Sequence, residues 1–566
     1  MKEEIKQIIK QGVGSLAVPI EVTVVENPQF GHYATNLAMR LAKERGKNPF
    51  DLAKELAASI AEKAPGGFFQ KVEAAPPGFI NFWLSKKTIA EKFAHAACED
   101  SFGRSWELAG QTVMVEFTDP NPFKLFHIGH LMSNTIGESF ARLHEWAGAN
   151  VIRANYEGDV GVHVAKAIWG MMRNGVPAEH APLAEKVELL GAAYAAGAKA
   201  YESDPASKSD IDAINKKIYS REDARVNELY DAGKKWSLEY FETVYARLGT
   251  KFNHYFFESE VGGTGVDIVR AHSDIFKASD GATIFPGEAY GLHTRVFISS
   301  QGLPTYEAKE LGLNKTKFDL YPLDTSVIVT GNEIVDYFKV LLKVIELVLP
   351  DVAKRTRHVA HGMLRLPSGK MSSRTGDVIT ADALLTQLKE RLRGQASESS
   401  DLSPAEREAA TEVLAIGAIK YSILKQNPGQ DIVFDFEKSL STHGDSGPYI
   451  QYAYARLRSI VRKAGSEPDA QFNALLLEGP EENDLVRKIL EFPDIVAFAR
   501  ESLSSSGVAS YLYKLSSLAN KFYETTPILK DENEKRRNAR LMLVCAAART
   551  IKEGLKLLGI QALEKL

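Results

Sequence analysis

The apolar positions change period several times along the chain, and each change marks an element. Ile20 to Val25 alternates as a half-buried strand does. Asn36 to Ala61 carries helical spacing, with Pro49 as a break or a first-turn residue. Pro76-Pro77 marks a turn, and Gly78 to Leu84 reads as a strand after it. Thr112 to Phe117 is a short strand, and a loop containing Pro120 and Pro122 follows. The helix that starts near His130 places Ile136, Phe140, Leu143 and Ala147 on one face. Asn150 to Tyr156 is the next strand, and Val162 opens another helix. Strand, loop, helix, strand is a parallel βαβ unit, and in open sheets ligands sit in the loop after the first strand. Val327–Thr330 and His358–Ala360 read as later strands. Near the end, Leu541, Val544, Ala548, Ile551, Leu555 and Leu558 line one face of a long bundle helix.

These patterns divide the chain into three regions. Residues 1–110 form an α+β unit. Residues 111–400 form an α/β unit with a parallel sheet, interrupted by an insertion within about 165–290. A Ser- and charge-rich linker, Gln395 to Pro404, leads into an all-α region over 401–566. The 566 residues, 44% hydrophobic and 25% charged, exclude disorder. Lys and Arg total 69 against 73 Asp and Glu, which excludes a uniformly basic coat, so any nucleic-acid partner would have to meet a local basic surface. Two cysteines, Cys98 and Cys545, supply neither a disulfide framework nor a four-thiolate zinc site, and fit a reducing, cytoplasmic setting. The N-terminus carries acids early, unlike a signal peptide, and no run of about 18 apolar residues spans a membrane.

Chemistry concentrates in two segments. His127-Ile128-Gly129-His130 lies between a strand and a helix start, where imidazole N–H groups join backbone donors in facing phosphate oxygens. Gly129 leaves room for a flat base against the backbone. The other readings are two surface histidines at a helix start or half of a metal site, and for the latter no third ligand follows at suitable spacing. Far downstream, Gly369-Lys370-Met371-Ser372-Ser373-Arg374-Thr375-Gly376 combines glycines, hydroxyls and two cations, as a loop closing on a triphosphate would.

Together the two segments resemble the paired motifs of class I aminoacyl-tRNA synthetases. Val115 to His130, with Pro120-Asn121 and Lys124 ahead of the histidines, resembles the arginyl-tRNA synthetase version. Tyr156-Glu157-Gly158-Asp159-Val160-Gly161, Pro304 to Gly312 and Ser446 to Arg456 resemble the same family, as do Gly31 to Asn36 and Pro77 to Asn81. The resemblance spans the chain. It implies a Rossmann-like class I catalytic domain, an N-terminal domain that meets the tRNA elbow, and a helical-bundle anticodon-binding domain. It further implies a two-step reaction, in which L-arginine and ATP with Mg²⁺ give arginyl-adenylate, and the arginyl group passes to tRNA(Arg). A monomer is the family default.

The resemblance also assigns roles. His127, His130, Lys124 and Lys370 would be catalytic; Lys124 would compensate for Ser373, where class I loops usually carry a second Lys. Gly129, Asp159, Gly161, Met371 and Ser372 would bind ATP together with the histidines. Glu116, Asn121, Tyr306, Glu310 and Glu333 would bind arginine, with Glu310 where the family often has Asp. A planar, permanently charged fork of five donors needs carboxylates and an aromatic wall, and Tyr306 and Glu310 sit one helical turn apart. Asn81, Phe82, Tyr449, Tyr452 and Arg456 would contact tRNA, the last three sharing a helix face suited to stacking bases. A nucleotidylyltransferase shares the histidine motif, but such enzymes are far shorter; a silent tRNA-binding paralogue would not need intact histidines and lysines.

Overall fold

The computed structural model describes residues 1–14, 16, 18–25, 27–366, 380–395 and 402–566. The N-terminal unit is a four-stranded antiparallel sheet, order β1-β2-β4-β3, covered by helices with its own apolar core. It runs α1 (Lys2–Val13), β1 (Thr23–Val24), β2 (Tyr33–Thr35), α2 (Leu37–Arg45), α3 (Pro49–Lys63), β3 (Phe69–Ala75), β4 (Phe79–Leu84) and α4 (Lys86–Cys98). The helix expected over 36–61 is two. The Asn48 side chain accepts the Phe50 and Asp51 N–H groups, and Pro49 opens α3 at its first turn. The strand expected over 20–25 shrinks to two residues, and β3 adds a strand whose irregular burial hides its alternation.

The central unit holds a five-stranded parallel sheet, order β12-β11-β5-β6-β7. Its first half is β5 (Thr112–Glu116), α5 (Ile128–Trp146) and β6 (Asn150–Glu157), with Thr112 to Glu116 in register with Asn150 to Ala154. Four helices follow: α6 (Val162–Asn174), α7 (Leu183–Ser203), α8 (Pro205–Ser220) and α9 (Ala224–Leu248). They pack around a separate core of Ile168, Leu190, Ile211 and Leu229. The chain then returns to the sheet as β7 (His254–Phe257), parallel to β6. The stretch expected as an insertion over 165–290 therefore includes a strand of the main sheet. Next come α10 (Glu258–Ala271) and a small antiparallel sheet of β8 (Lys277–Ser279), β9 (Ala282–Phe285) and β10 (Arg295–Ile298). The second half follows as α11 (Tyr306–Leu320), β11 (Thr325–Gly331), α12 (Val335–Val348), α13 (Pro350–Arg355), β12 (Thr356–His361), β13 (Leu364–Arg365) and α14 (Ala381–Gln395).

The rest is helical apart from β14 (Ile432–Val433), which pairs with β13. Its helices are α15 (Pro404–Leu424), α16 (Phe436–Leu440), α17 (Gly447–Ala464), α18 (Pro480–Leu490), α19 (Phe492–Glu501), α20 (Ser506–Thr525) and α21 (Glu534–Leu557). Ser403 and Glu406 close a capping box on α15. One continuous core joins sheet residues Val115 and Val327, α5 residues Leu131 and Phe140, and bundle residues Leu515, Val544 and Ile551. The bundle is thus seated on the back of α5. Ser139 of α5 donates to the Leu557 carbonyl (2.9 Å), which fixes that contact. Among the described residues no helix is long and apolar enough to cross a membrane, and both cysteines are free, Cys98 exposed and Cys545 buried.

Candidate active site

The C-terminal ends of β5, β6 and β11 converge on one loop. After Glu116 the backbone enters the left-handed region at three non-glycine residues, Thr118, Asp119 and Phe123. Each such residue costs on the order of 1–3 kcal/mol and persists only where its surroundings over-determine it. Here the bracing comes from four partners. The Thr118 N–H donates to Ser133 Oγ (2.9 Å), and Asn134 Nδ2 donates to Thr118 Oγ1 (3.0 Å). The Asp119 N–H donates to Asn155 Oδ1 (3.1 Å), and the Phe123 N–H to Ser237 Oγ (2.8 Å). Two helices, α5 and α9, and the neighbouring strand β6 all hold the loop that carries Asn121 and Lys124.

The histidine motif opens α5. His127 is the N-cap; its Nδ1 accepts the Gly129 N–H (3.1 Å), and His130 Nδ1 accepts the His127 N–H (3.3 Å). With Nδ1 accepting in both rings, the proton of each neutral imidazole lies on Nε2. The rings stack at 3.6 Å between centroids. Burial, with the Lys124 charge second, lowers His127 to about 4. Burial holds His130 well below the ordinary histidine range, with His127 and Lys124 next in weight. Both are neutral N–H donors at neutral pH. The space beside Gly129 is filled: a Cβ there would lie 2.9 Å from His127 Cε1, so glycine is needed to seat that ring. Lys124 lies over the Tyr194 ring of α7 (5.3 Å), and burial and Lys166 lower its pKa. Thr380 pairs with His127 across a β-bridge. Lys370, Met371, Ser372, Ser373 and Arg374 lie outside the described residues.

A buried charged cluster gathers where the end of β5 meets α11. Glu116, at the end of β5, ion-pairs with Lys317 of α11, whose side chain is 0% exposed. Glu310 is buried next to them, with the Tyr306 hydroxyl against its carboxyl group. The Tyr306 and Tyr337 rings meet at 4.8 Å, forming an aromatic wall. Lys309 donates to Glu258 (2.6 Å), a second buried ion pair. Asn121 packs on Gly158, where a Cβ would stand 2.2 Å from Asn121 Oδ1. Asp119 accepts the Tyr156 N–H (2.9 Å) and is raised well above the usual carboxylate range, first by burial and then by Glu116.

Two assigned residues sit differently from expectation. Asp159 is completely buried, and its carboxylate binds Tyr230 Oη (2.7 Å), Lys234 Nζ (2.8 Å), and the Ser259 N–H and hydroxyl. It braces α9 and α10 against the end of β6, and both oxygens of its buried side chain already have protein partners. Gly161, at φ 126°, starts α6 in a conformation that side chains disfavour. Glu333 is exposed at the end of β11 and folds back over Gly331. Among the described residues no group of three His, Cys, Asp or Glu side chains is placed to hold a metal ion.

Three family models match the chain in succession: an arginyl tRNA synthetase N-terminal domain over residues 1–84, a class I (R) tRNA synthetase catalytic domain over 100–436, and a DALR anticodon-binding domain over 450–566. The catalytic model alone spans more than half the chain. The chain belongs to the arginyl-tRNA synthetase family. The arginine–tRNA ligase of Fusobacterium nucleatum is 32% identical, with 97% of this chain and 95% of that protein aligned. That of Clostridium beijerinckii is 30% identical over the full length of both. Among solved structures, the Thermus thermophilus arginyl-tRNA synthetase superimposes with a TM-score of 0.82 at 25% identity, covering 100% of this chain and 99% of that one.

The expected RNA contacts of this synthetase divide by exposure. Phe82 is fully buried in the N-terminal core and Asn81 is 6% exposed, so neither side chain offers a surface to RNA. The same strand instead exposes Phe79, and Trp83 carries Lys71 over its ring (4.9 Å). Tyr449 packs on Tyr513, and its hydroxyl accepts from Asn520 (3.1 Å). Tyr452 is exposed, and Arg456 lies over the exposed Tyr523 ring (5.6 Å). Tyr452, Arg456 and Tyr523 therefore line the surface of α17 and α20. Motif reading missed Asp119, Glu258, Lys309, Lys317 and Tyr523. Lys317 carried a usable signal, since it lies seven residues after Glu310 on the same helix face.

Proposed function

We infer that this synthetase couples cleavage of ATP to AMP and pyrophosphate to the charging of tRNA(Arg) with L-arginine, through arginyl-adenylate. The observation that supports the reading is a pair of carboxyl groups raised by burial, Asp119 on the loop after β5 and Glu310 on α11, with Tyr306 and Tyr337 against Glu310, together with two neutral histidines at the start of α5. This site takes the guanidinium, with Glu310 beneath Tyr306 and Tyr337 supplying the wall. Asn121, fixed over Gly158, meets the amino acid's backbone end. That leaves the carboxylate directed toward the histidines, where it attacks the α-phosphorus of ATP and expels pyrophosphate. His127 and His130 donate from Nε2 to the α-phosphate oxygens as charge grows on them, and Lys124 adds a cation. Donors fixed before the reaction need no reorganisation, which is where the strained, braced loop contributes. By the family resemblance, Lys370 would bind the leaving phosphates and Met371 and Ser372 would help to bind ATP. Mg²⁺ travels with ATP and neutralises the leaving phosphates. In the second step the arginyl group passes to the terminal ribose of the tRNA, whose anticodon arm meets Tyr452, Arg456 and Tyr523.

ATP–pyrophosphate exchange with each of the twenty amino acids, with and without bulk tRNA, tests this reading. Exchange with arginine alone supports it. Exchange with a different amino acid, or with none under either condition, refutes it.

A further inference from the structure

Glu310 is 1% exposed, and its Oε2 has no hydrogen-bond partner. The groups facing it come from every neighbouring element. Glu116 comes from β5, Asp119 from the loop, Tyr156 from β6, Glu258 from α10, Tyr337 from α12, and Tyr306 and Lys317 from its own helix. Arg295 of β10 stands behind Tyr337 (5.9 Å) and reaches Glu307 (3.9 Å). The two buried lysines are committed elsewhere: Lys317 to Glu116, and Lys309 to Glu258 at 2.6 Å. Glu310 and Asp119 are left as two adjacent carboxyl groups with no cation of their own. Two such groups in a water-poor site do not both stay charged.

Resting on the reading of arginine as substrate, we propose that Glu310 awaits it as the neutral acid, that guanidinium entry expels its proton to water, and that Lys317 withholds Glu116 from the substrate. The carboxyl O–H bond breaks, the electron pair stays on the carboxylate, and water takes the proton; the guanidinium keeps all its own. Burial, reinforced by the Glu116 charge and opposed by Lys317, raises Glu310 to about 8. The nearby histidines stay silent across pH 6–8, because burial lowers His127 to about 4 and His163 to about 3. Arginine affinity therefore carries a pH dependence that originates at Glu310 and not at the histidines.

The test is calorimetric titration of L-arginine into the full-length enzyme, with and without tRNA, in phosphate and in Tris buffer. Release of about 0.9 proton per arginine at pH 7 is expected. The arginine Kd should fall about tenfold per unit between pH 6 and 7.5 and level off above about 8. Glu310→Gln should bind more weakly and release no proton, whereas Glu310→Asp should keep the release. Arginine binding without proton release, or an unchanged pH slope in Glu310→Gln, overturns the proposal alone. Absence of arginine binding at every pH overturns the substrate reading and this proposal with it.

Discussion

A glycine seam between α10 and α11 sets the position of the helix that carries the proposed arginine site, and one methyl group there should disturb it measurably. A Cβ on Gly265 would stand 1.7 Å from the Ala308 carbonyl oxygen, and one on Gly312 would stand 2.2 Å from the Val261 carbonyl. Ordinary contact begins near 3.4 Å, so Gly265→Ala must drive the helices apart by more than ~1 Å. Overpacking of this kind costs about 1–3 kcal/mol of stability. The functional cost is larger, because α11 carries Tyr306, Glu310 and Lys317 together. Displacing a substrate-positioning group by about 1 Å costs on the order of 100-fold. Pyrophosphate exchange should therefore show kcat/KM for arginine reduced on that order, with the ATP KM nearly unchanged. Gly263→Ala is the control: a Cβ there meets nothing within 4 Å, and the change should be neutral or stabilising by about 0.5–1 kcal/mol. An unchanged arginine KM in a folded Gly265→Ala enzyme, or equal effects at positions 263 and 265, would refute the reasoning.

Further outcomes follow from the same geometry. Lys124→Ala and His130→Ala should each cut adenylate formation at least ~100-fold while tRNA binding by gel shift stays nearly unchanged; full turnover in both removes their phosphate roles. Lys317→Met strands Glu116 as a buried charge and should cost about 3–5 kcal/mol, most of it regained by a second change, Glu116→Gln, in urea unfolding. Equal midpoints for single and double variants would contradict the buried pair. His127 and His358 are both lowered to about 4 by burial, so the unfolded chain binds their protons first as pH falls. Their contribution should thus decline from about pH 6.5 towards 4, opposite in sign to that of the raised Glu310 and Asp119 carboxyls, and is read as the share of the melting-temperature loss that disappears in His358→Gln; no difference between variant and parent argues against a neutral histidine at 358. Tyr452→Ala and Arg456→Ala should raise the tRNA KM and leave the arginine Kd alone in direct titration.

How far the sequence carried depended on whether a feature was local. The strand from Thr112, the helix of Ile136, Phe140 and Leu143, and the long helix of Leu541 to Leu555 were legible because each rests on one element's own period. The histidine motif was legible because spacing and helix start coincide at His127–His130. Side-chain direction was not. Asp159 sits where a ligand contact was expected, yet Tyr230, Lys234 and Ser259, from distant segments, claim it. Phe82 was misplaced because β4 buries Ile80, Asn81 and Phe82 in succession, which defeats alternation. β7 was hidden because it is four residues long and follows four consecutive helices. The commitment of Glu116 to Lys317 arises only when β5 meets α11, and no sequence period records that meeting.

The most direct test of the account is a crystal structure of the enzyme with a non-hydrolysable arginyl-adenylate analogue. The account places the analogue's phosphate surrogate within hydrogen-bond reach of Nε2 of His127 and His130. It places the guanidinium on Glu310, with Glu116 still joined to Lys317. A guanidinium seated away from Glu310, or a phosphate surrogate remote from both imidazoles, would contradict it.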